Sequence, residues 1–181
     1  MNKILLLESR KILFFDQLFI YNILDNYSNK IAGFDLDNTI INTISGNVFP
    51  RNKDDWKIKY TNVISNLKKL YEKNYSIIIF TNQNGIGKNI SLQDFIDKCE
   101  NILQYIDLPI TFYISLKSNN KKFRKPNTGM LEYHHSKYKI DKNNSFYVGD
   151  AWSKKYSWND SDQKFAKNFN IDFFNDKEFF A

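Results

Sequence analysis

Two aspartates two residues apart, Asp35 and Asp37, follow the apolar run Ile31-Ala32-Gly33-Phe34. A strand alternates its faces, so Asp35 is the last residue a sheet would still position. Asp37 lies just beyond, where the chain can fold back toward the same site. Loops at the carboxyl ends of parallel strands are where open α/β sheets bind ligands. Two acids held there can grip Mg²⁺, or divide the work of nucleophile and general acid. Taken alone, the pair reads equally well as a strand ending in a solvated acidic turn. Three later positions shift that balance. The run Ser76-Ile77-Ile78-Ile79-Phe80 ends in the hydroxyl of Thr81, followed by Asn82. Lys125 stands in the basic stretch Phe123-Arg124-Lys125-Pro126, and the run Ser145-Phe146-Tyr147-Val148-Gly149 ends in Asp150.

Positioning such groups needs a sheet, and the hydrophobic patterning supplies one. Strand-like runs at 31–34, 76–81, 111–116, 145–148 and 171–174 alternate with helical periodicity. Val63, Leu67 and Leu70 mark one helix, and Phe95, Cys99 and Leu103 mark a second. A third covers roughly Met130 to Lys139, and a fourth carries Phe165 and Phe169 on one face. Alternating β and α elements imply an α/β fold of three layers, α/β/α, around a mainly parallel sheet with right-handed crossovers. The apolar runs 4–7, 12–15 and 18–24 are expected to add edge strands or a hairpin. No linker or repeat interrupts the 181 residues, so a single domain is expected, with 1–30 as its amino-terminal edge and 31–181 as its core.

Composition narrows the chemistry further. The single cysteine, Cys99, excludes an internal disulfide and any multi-cysteine zinc site, and its helical pattern predicts a buried apolar thiol. No run is long enough to span a membrane, and the amino-terminal apolar stretch is too short for a secretory signal, so an intracellular protein is expected. The net charge of +6 permits a polyanionic partner without establishing one. Lys117, Lys121, Lys122, Arg124 and Lys125 occur together with no acid among them. This cluster leads into the candidate lysine, which favours a substrate-facing role over a solvated loop.

Nucleophile, hydroxyl, lysine and acid, in that order, resemble the four motifs of the haloacid dehalogenase (HAD) superfamily of phosphotransferases. Cap domains in that superfamily are inserted between the first and second motifs or between the second and third. Here both intervals are already filled by the helices and strand above, so no large cap is expected and the site should be open. The flanks resemble the 3'-phosphatase domain of polynucleotide kinase 3'-phosphatases in particular. The likeness is carried by Ser45-Gly46-Asn47-Val48-Phe49-Pro50 with Asp55-Trp56-Lys57 and Tyr60, and by Thr81-Asn82-Gln83-Asn84-Gly85-Ile86-Gly87-Lys88. It continues through Arg124-Lys125-Pro126-Asn127-Thr128-Gly129-Met130, Val148-Gly149-Asp150-Ala151, Ser161-Asp162 and Glu178-Phe179-Phe180.

That resemblance implies a Mg²⁺-dependent enzyme removing 3'-phosphates from DNA ends, with no membrane and no nucleotide cofactor. It implies Asp35, Asp150 and the main-chain carbonyl of Asp37 as metal ligands, Asp35 as the nucleophile that forms an aspartyl-phosphate, and Asp37 as general acid and base. Thr81 and Lys125 would hold the transferring phosphoryl group, while Asn82, Lys88, Arg124 and Lys122 are candidates for substrate contacts. Asp162 either orients Asp150 or Lys125, or caps the helix carrying Phe165. Phe49 and Trp56 could stack on a terminal base, although a packed core or flap role explains each better. His134 and His135 receive no catalytic role. Asn38 replaces the family's commoner glycine, which is permissible because asparagine tolerates the left-handed backbone region. No phosphate-cradling kinase loop is present, so no kinase activity is expected, and nothing matches the zinc loop of histidinol- and heptose-bisphosphate phosphatases. Two other readings stay open: an uncapped HAD phosphatase for a small phosphomonoester, and a degenerate module that only binds nucleic-acid ends.

Overall fold

A computed structural model describes residues 3–7, 10–117, 121–153, 155 and 159–181. Among these described residues, ten strands and five α-helices run in the order β1 (Lys3–Leu7), β2 (Arg10–Phe15), β3 (Leu18–Tyr21), β4 (Ile31–Phe34), β5 (Ile41–Asn42), β6 (Lys57–Ile58), α1 (Val63–Glu72), β7 (Ser76–Gln83), α2 (Leu92–Ile106), β8 (Ile110–Leu116), α3 (Gly129–Tyr138), β9 (Phe146–Gly149), α4 (Ser161–Phe169), β10 (Asp172–Asn175) and α5 (Asp176–Phe180). Eight strands form one sheet in the order β1-β2-β3-β8-β7-β4-β9-β10. From β8 to β10 every neighbouring pair is parallel. β1, β2 and β3 extend this sheet as an antiparallel meander, with β3 laid against β8. The edge strands expected from the amino-terminal runs are thus three rather than a lone hairpin.

Strand alternation sends successive residues of one strand into two different cores. Ala32, Phe34, Ile77, Ile79, Phe112 and Val148 pack with Val63 and Leu67 of α1, with Phe95, Cys99 and Ile102 of α2, and with Phe180 of α5. Ile31, Ile78, Phe80, Tyr113 and Tyr147 pack with Met130 and Leu131 of α3 and with Phe165, Ala166 and Phe169 of α4. The three layers follow from this division. Cys99 is fully buried, as its helical position predicts.

Local chemistry ends the elements. The Ser91 side chain accepts from the Asp94 amide at the start of α2, and Asp107 closes that helix in the left-handed region with φ 56°. Asn38 also adopts that region, with φ 59°, so the substitution for glycine costs the turn little. Between β4 and β7 the chain holds only α1 and the two-residue strands β5 and β6, which pair with each other. Among the described residues no helix is long and apolar enough to cross a membrane.

His134 lies buried on α3, its Nδ1 2.9 Å from the Tyr113 hydroxyl. Burial lowers its pKa from 6.5 to about 3. The folded protein therefore keeps this ring neutral where the unfolded chain protonates it. Stability from this site is complete above pH 6.5 and is lost as pH falls toward 3. We expect the His134→Leu variant to lose less melting temperature than the wild type across that window, as measured by thermal unfolding at a series of pH values.

Candidate active site

β4 and β9 are adjacent and parallel, so their carboxyl ends lie side by side and the Asp35 amide donates to the Val148 carbonyl at 2.9 Å. Here the crossover direction reverses, the position at which open α/β sheets bind ligands. Asp35 and Asp150 follow these two strand ends directly. Alternation points Asp35 toward the α3/α4 face, where Lys125 meets it.

The Lys125 ammonium has three N–H donors, and all three are used. It donates to Asp35 Oδ1 at 2.6 Å, to Asp162 Oδ1 at 2.7 Å and to the Tyr147 hydroxyl at 2.8 Å. Two glycines make room for these partners. A Cβ on Gly33 would lie 2.9 Å from the Tyr147 ring, and one on Gly149 would lie 2.5 Å from Asp162 Cγ and Oδ2. Asp162 Oδ2 accepts from the Ala151 amide, while the Asp162 amide donates to the Ala151 carbonyl. The N-cap position of α4 is Asp160, so Asp162 sits inside the first turn with its carboxylate committed to Lys125 and Ala151 rather than capping the helix.

Oxygens of Asp35, Asp150 and Asp162 all lie within 4.8 Å of one another. Burial raises the Asp35 pKa well above the carboxylate range; Lys125 pulls it back, and Asp162 and Asp150 push it up again. Asp150 is pushed up to about 6, first by burial and then by Asp162. Burial opposes the charge on Lys125, but Asp162 and Asp35 more than offset it and raise its pKa. One ammonium is too little for three carboxylates, two of them buried and the third half-buried. The donor set suits a hard divalent cation, which takes oxygen ligands and would offset the excess negative charge. Asp35 and Asp150 are the acids free to hold it: Asp35 Oδ2 and both Asp150 oxygens accept no hydrogen bond from the described residues.

Asp37 and Thr81 belong to the other side of the sheet. Thr81 is inside β7, not at its end, because the strand continues to Gln83. Residues 81 and 83 share the face that carries α1 and α2. The Gln83 amide spans the two site residues, donating to Asp37 Oδ2 at 2.6 Å and to Thr81 Oγ1 at 2.9 Å. Lys98 of α2 faces Asp37 Oδ1 at 3.5 Å. Asn82 points to the opposite face, and its amide clamps the Lys125 main chain, accepting from the amide at 3.0 Å and donating to the carbonyl at 3.2 Å.

Arg124 donates to Asn84 Oδ1 at 2.6 Å, tying the loop after β8 to the loop after β7, on which Lys88 is exposed. Lys117, Lys121 and Lys122 are exposed, and residues 118–120 of the basic stretch lie outside the described residues. Phe49 is 71% exposed. Trp56 is half-buried against the core and meets Tyr105 edge to face. Tyr147, Gln83 and Lys98 carry no assignment from the sequence. Gln83 at least lies within the motif segment after Thr81, whereas Tyr147 and Lys98 look like ordinary strand and helix residues.

The sequence matches the family model described as polynucleotide kinase 3 phosphatase over residues 30–180. The chain belongs to this family. An uncharacterized 20.8 kDa protein of Autographa californica nuclear polyhedrosis virus is 40% identical over 158 residues, covering 83% of this chain and 85% of the viral protein. The bifunctional polynucleotide phosphatase/kinase of Schizosaccharomyces pombe is 40% identical over 160 residues, which is 84% of this chain but 38% of that protein. Polynucleotide 3'-phosphatase ZDP of Arabidopsis thaliana is 30% identical over 172 residues, 86% of this chain and 24% of that protein. The chain thus spans well under two thirds of the last two relatives. Among solved structures, the D,D-heptose 1.7-bisphosphate phosphatase of B. bronchiseptica, complexed with magnesium and phosphate, superposes with a TM-score of 0.63 at 15% identity, covering 80% of this chain and 78% of its own. A HAD-like phosphatase structure from Mesorhizobium loti gives 0.68 at 17% identity, covering 86% and 77%. These two share the fold, so the three-layer HAD-like architecture expected from the motifs stands.

The crowding of acids has a measurable cost. A folded carboxyl raised to about 6 from 3.8 makes the metal-free protein bind more protons than its unfolded chain, so ionising Asp150 destabilises the fold as pH rises through that range. With metal removed at pH 7.5, Asp150→Asn is expected to melt about 2–4 °C or more above the wild type, the shift that roughly 1 kcal/mol gives in a chain of this size. Below pH 4 the difference should vanish.

Proposed function

We propose that this phosphatase removes 3'-phosphates from DNA ends in DNA end repair, through an aspartyl-phosphate on Asp35. The observation that carries the reading is the Lys125 ammonium, bonded to Asp35 and Asp162, beside Asp150 on the adjoining strand. Family membership supports the 3'-phosphate as the substrate group. Asp35, Asp150 and the main-chain carbonyl of Asp37 would hold Mg²⁺, which when bound offsets the repulsion between a carboxylate and a phosphate dianion.

The residues divide the work. Asp35 attacks phosphorus in line, and the bond to the leaving 3'-oxygen breaks. Asp37 gives its proton to that oxygen, then takes one from the water that hydrolyses the aspartyl-phosphate. Lys125 neutralises charge on the transferring group. Thr81 donates its hydroxyl to a phosphate oxygen; Gln83 bonds the same hydroxyl oxygen as a donor, which leaves the O–H proton for another acceptor. Asn82 serves substrate indirectly, by fixing the Lys125 backbone. Lys88 and Arg124, on two loops joined through Asn84, contact phosphates of the DNA backbone and set its position without reading sequence.

Phosphate release from matched oligonucleotides carrying a 3'- or a 5'-phosphate, beside small phosphomonoesters, tests the assignment. Turnover confined to the 3'-phosphate and abolished by EDTA is expected. Asp35→Asn should lose all turnover while still binding DNA, and Lys125→Met should fall by on the order of 10²–10³, as when one preorganised donor is removed. Preference for a small ester would overturn the DNA assignment. Asp35→Asn retaining turnover would overturn the nucleophile.

A further inference from the structure

Lys98 breaks the pattern of its own helix. The buried face of α2 is Phe95, Ile96, Cys99, Ile102, Leu103 and Ile106, with Lys98 among them at 2% exposure. A lysine is almost never fully buried without a partner, and a polar residue that violates an apolar face usually marks a functional site. Among the described residues, one carboxylate lies within ion-pair distance of its ammonium: Asp37, whose Oδ1 is 3.5 Å away and whose side chain is 43% exposed. The charged end of a buried residue therefore emerges against an open acid of the active site. The nearest ring, Phe95, stands 5.9 Å from the ammonium.

The two oxygens of Asp37 are met from two elements. Gln83 of β7 donates to Oδ2 at 2.6 Å, and Lys98 of α2 approaches Oδ1. A carboxylate beyond the last ordered residue of β4 has no strand to fix its rotamer, so these two donors set its direction. Both are anchored in rigid elements, and the Gln83 amide is itself held by Thr81.

We propose that Lys98, acting with Gln83, is a positioning residue that aims the Asp37 carboxyl at the leaving oxygen of the substrate. The inference rests on the phosphatase reading above and on the proton-transfer role given to Asp37. In the first step the Asp37 proton moves to the leaving oxygen as the phosphorus–oxygen bond breaks and its electron pair stays on that oxygen. As the proton departs, Asp37 becomes an anion, and the fixed Lys98 ammonium lies beside it. Lys98 does not touch the phosphoryl group, so its loss should be felt in proportion to how much the leaving group needs a proton.

The test compares an oligonucleotide 3'-phosphate, whose alkoxide leaving group requires protonation, with 2,4-dinitrophenyl phosphate, whose phenolate leaves without it. The quantity measured is kcat/KM, which covers only steps through formation of the aspartyl-phosphate. Lys98→Met keeps the length and the apolar stem, so folding should be retained; circular dichroism and thermal unfolding check this. Asp37→Asn is the reference. We expect Lys98→Met to lower kcat/KM for the oligonucleotide by about 10²-fold, the cost of misplacing a reacting group by roughly 1 Å, and to lower the ratio of oligonucleotide to aryl phosphate in the direction that Asp37→Asn does. Gln83→Leu should shift that ratio the same way. Equal losses on both substrates would overturn the proposal, showing that Lys98 binds phosphate or merely supports the fold. An unchanged ratio with full activity would overturn it as well. If Asp37→Asn leaves the ratio unchanged, the proton-transfer role of Asp37 fails first, and a wild type inactive on both substrates removes the phosphatase reading itself.

Discussion

The ammonium of Lys125 is bonded to two buried carboxylates and stands close to a third, and much of the architecture serves to keep it there. An unpaired buried charge is costly, and so is a buried acid without a cation. The chain supplies Asp35 from the end of β4, Asp162 from the first turn of α4 and the phenol of Tyr147 from β9. Larger residues at Gly33 and Gly149 would displace two of these partners, since an added methyl group would meet Tyr147 or Asp162. The clamp from Asn82 then fixes the main chain of Lys125 itself. The cluster remains unbalanced, with more negative than positive charge, and that imbalance suits it to a divalent cation.

The central sheet separates two tasks. On the α3/α4 side, Asp35, Lys125, Asp162 and Tyr147 form a tightly bonded set in which no group is free to move far. On the α1/α2 side, Asp37, Thr81, Gln83 and Lys98 form a looser set around an exposed acid. A second clamp lies near the turn after β4: Lys59 bonds the Asn38 carbonyl and Asp176, and Tyr60 donates to the same Asp176 at 2.7 Å. Through it the last helix, α5, is tied to the turn that follows Asp35 and Asp37. Asp35 is thus held by one face of the fold and Asp37 by the other.

What the sequence shows and what it hides divide along the same physical line. Strand alternation and helical periodicity are local signals, so β4, β7, β8, β9 and β10 and the helices α1 to α4 are legible to within a few residues. Asp35, Asp37, Thr81, Lys125 and Asp150 are legible because each sits in a short motif. Asp162 apart, the partners that orient them are not. Tyr147 reads as an interior strand residue, and Lys98 as the polar neighbour of Cys99. The Lys59–Asp176 contact joins residues 117 apart. Asn82 reads as a substrate contact by its neighbourhood, and only the register of β7 shows that it faces Lys125. The short pair β5–β6 and the helix α5 carry too few residues for any periodicity to mark them.

The role proposed for the cluster around Lys125 is to make Asp35 a nucleophile. The most direct measurement is transfer of labelled phosphate from a 3'-labelled oligonucleotide to the protein, quenched in acid and mapped by peptide sequencing. The expected result is an acyl-phosphate on Asp35, formed only when Mg²⁺ is present and absent from the Asp35→Asn variant. Label on any other residue, or loss of the 3'-phosphate with no labelled intermediate at any quench time, would contradict it.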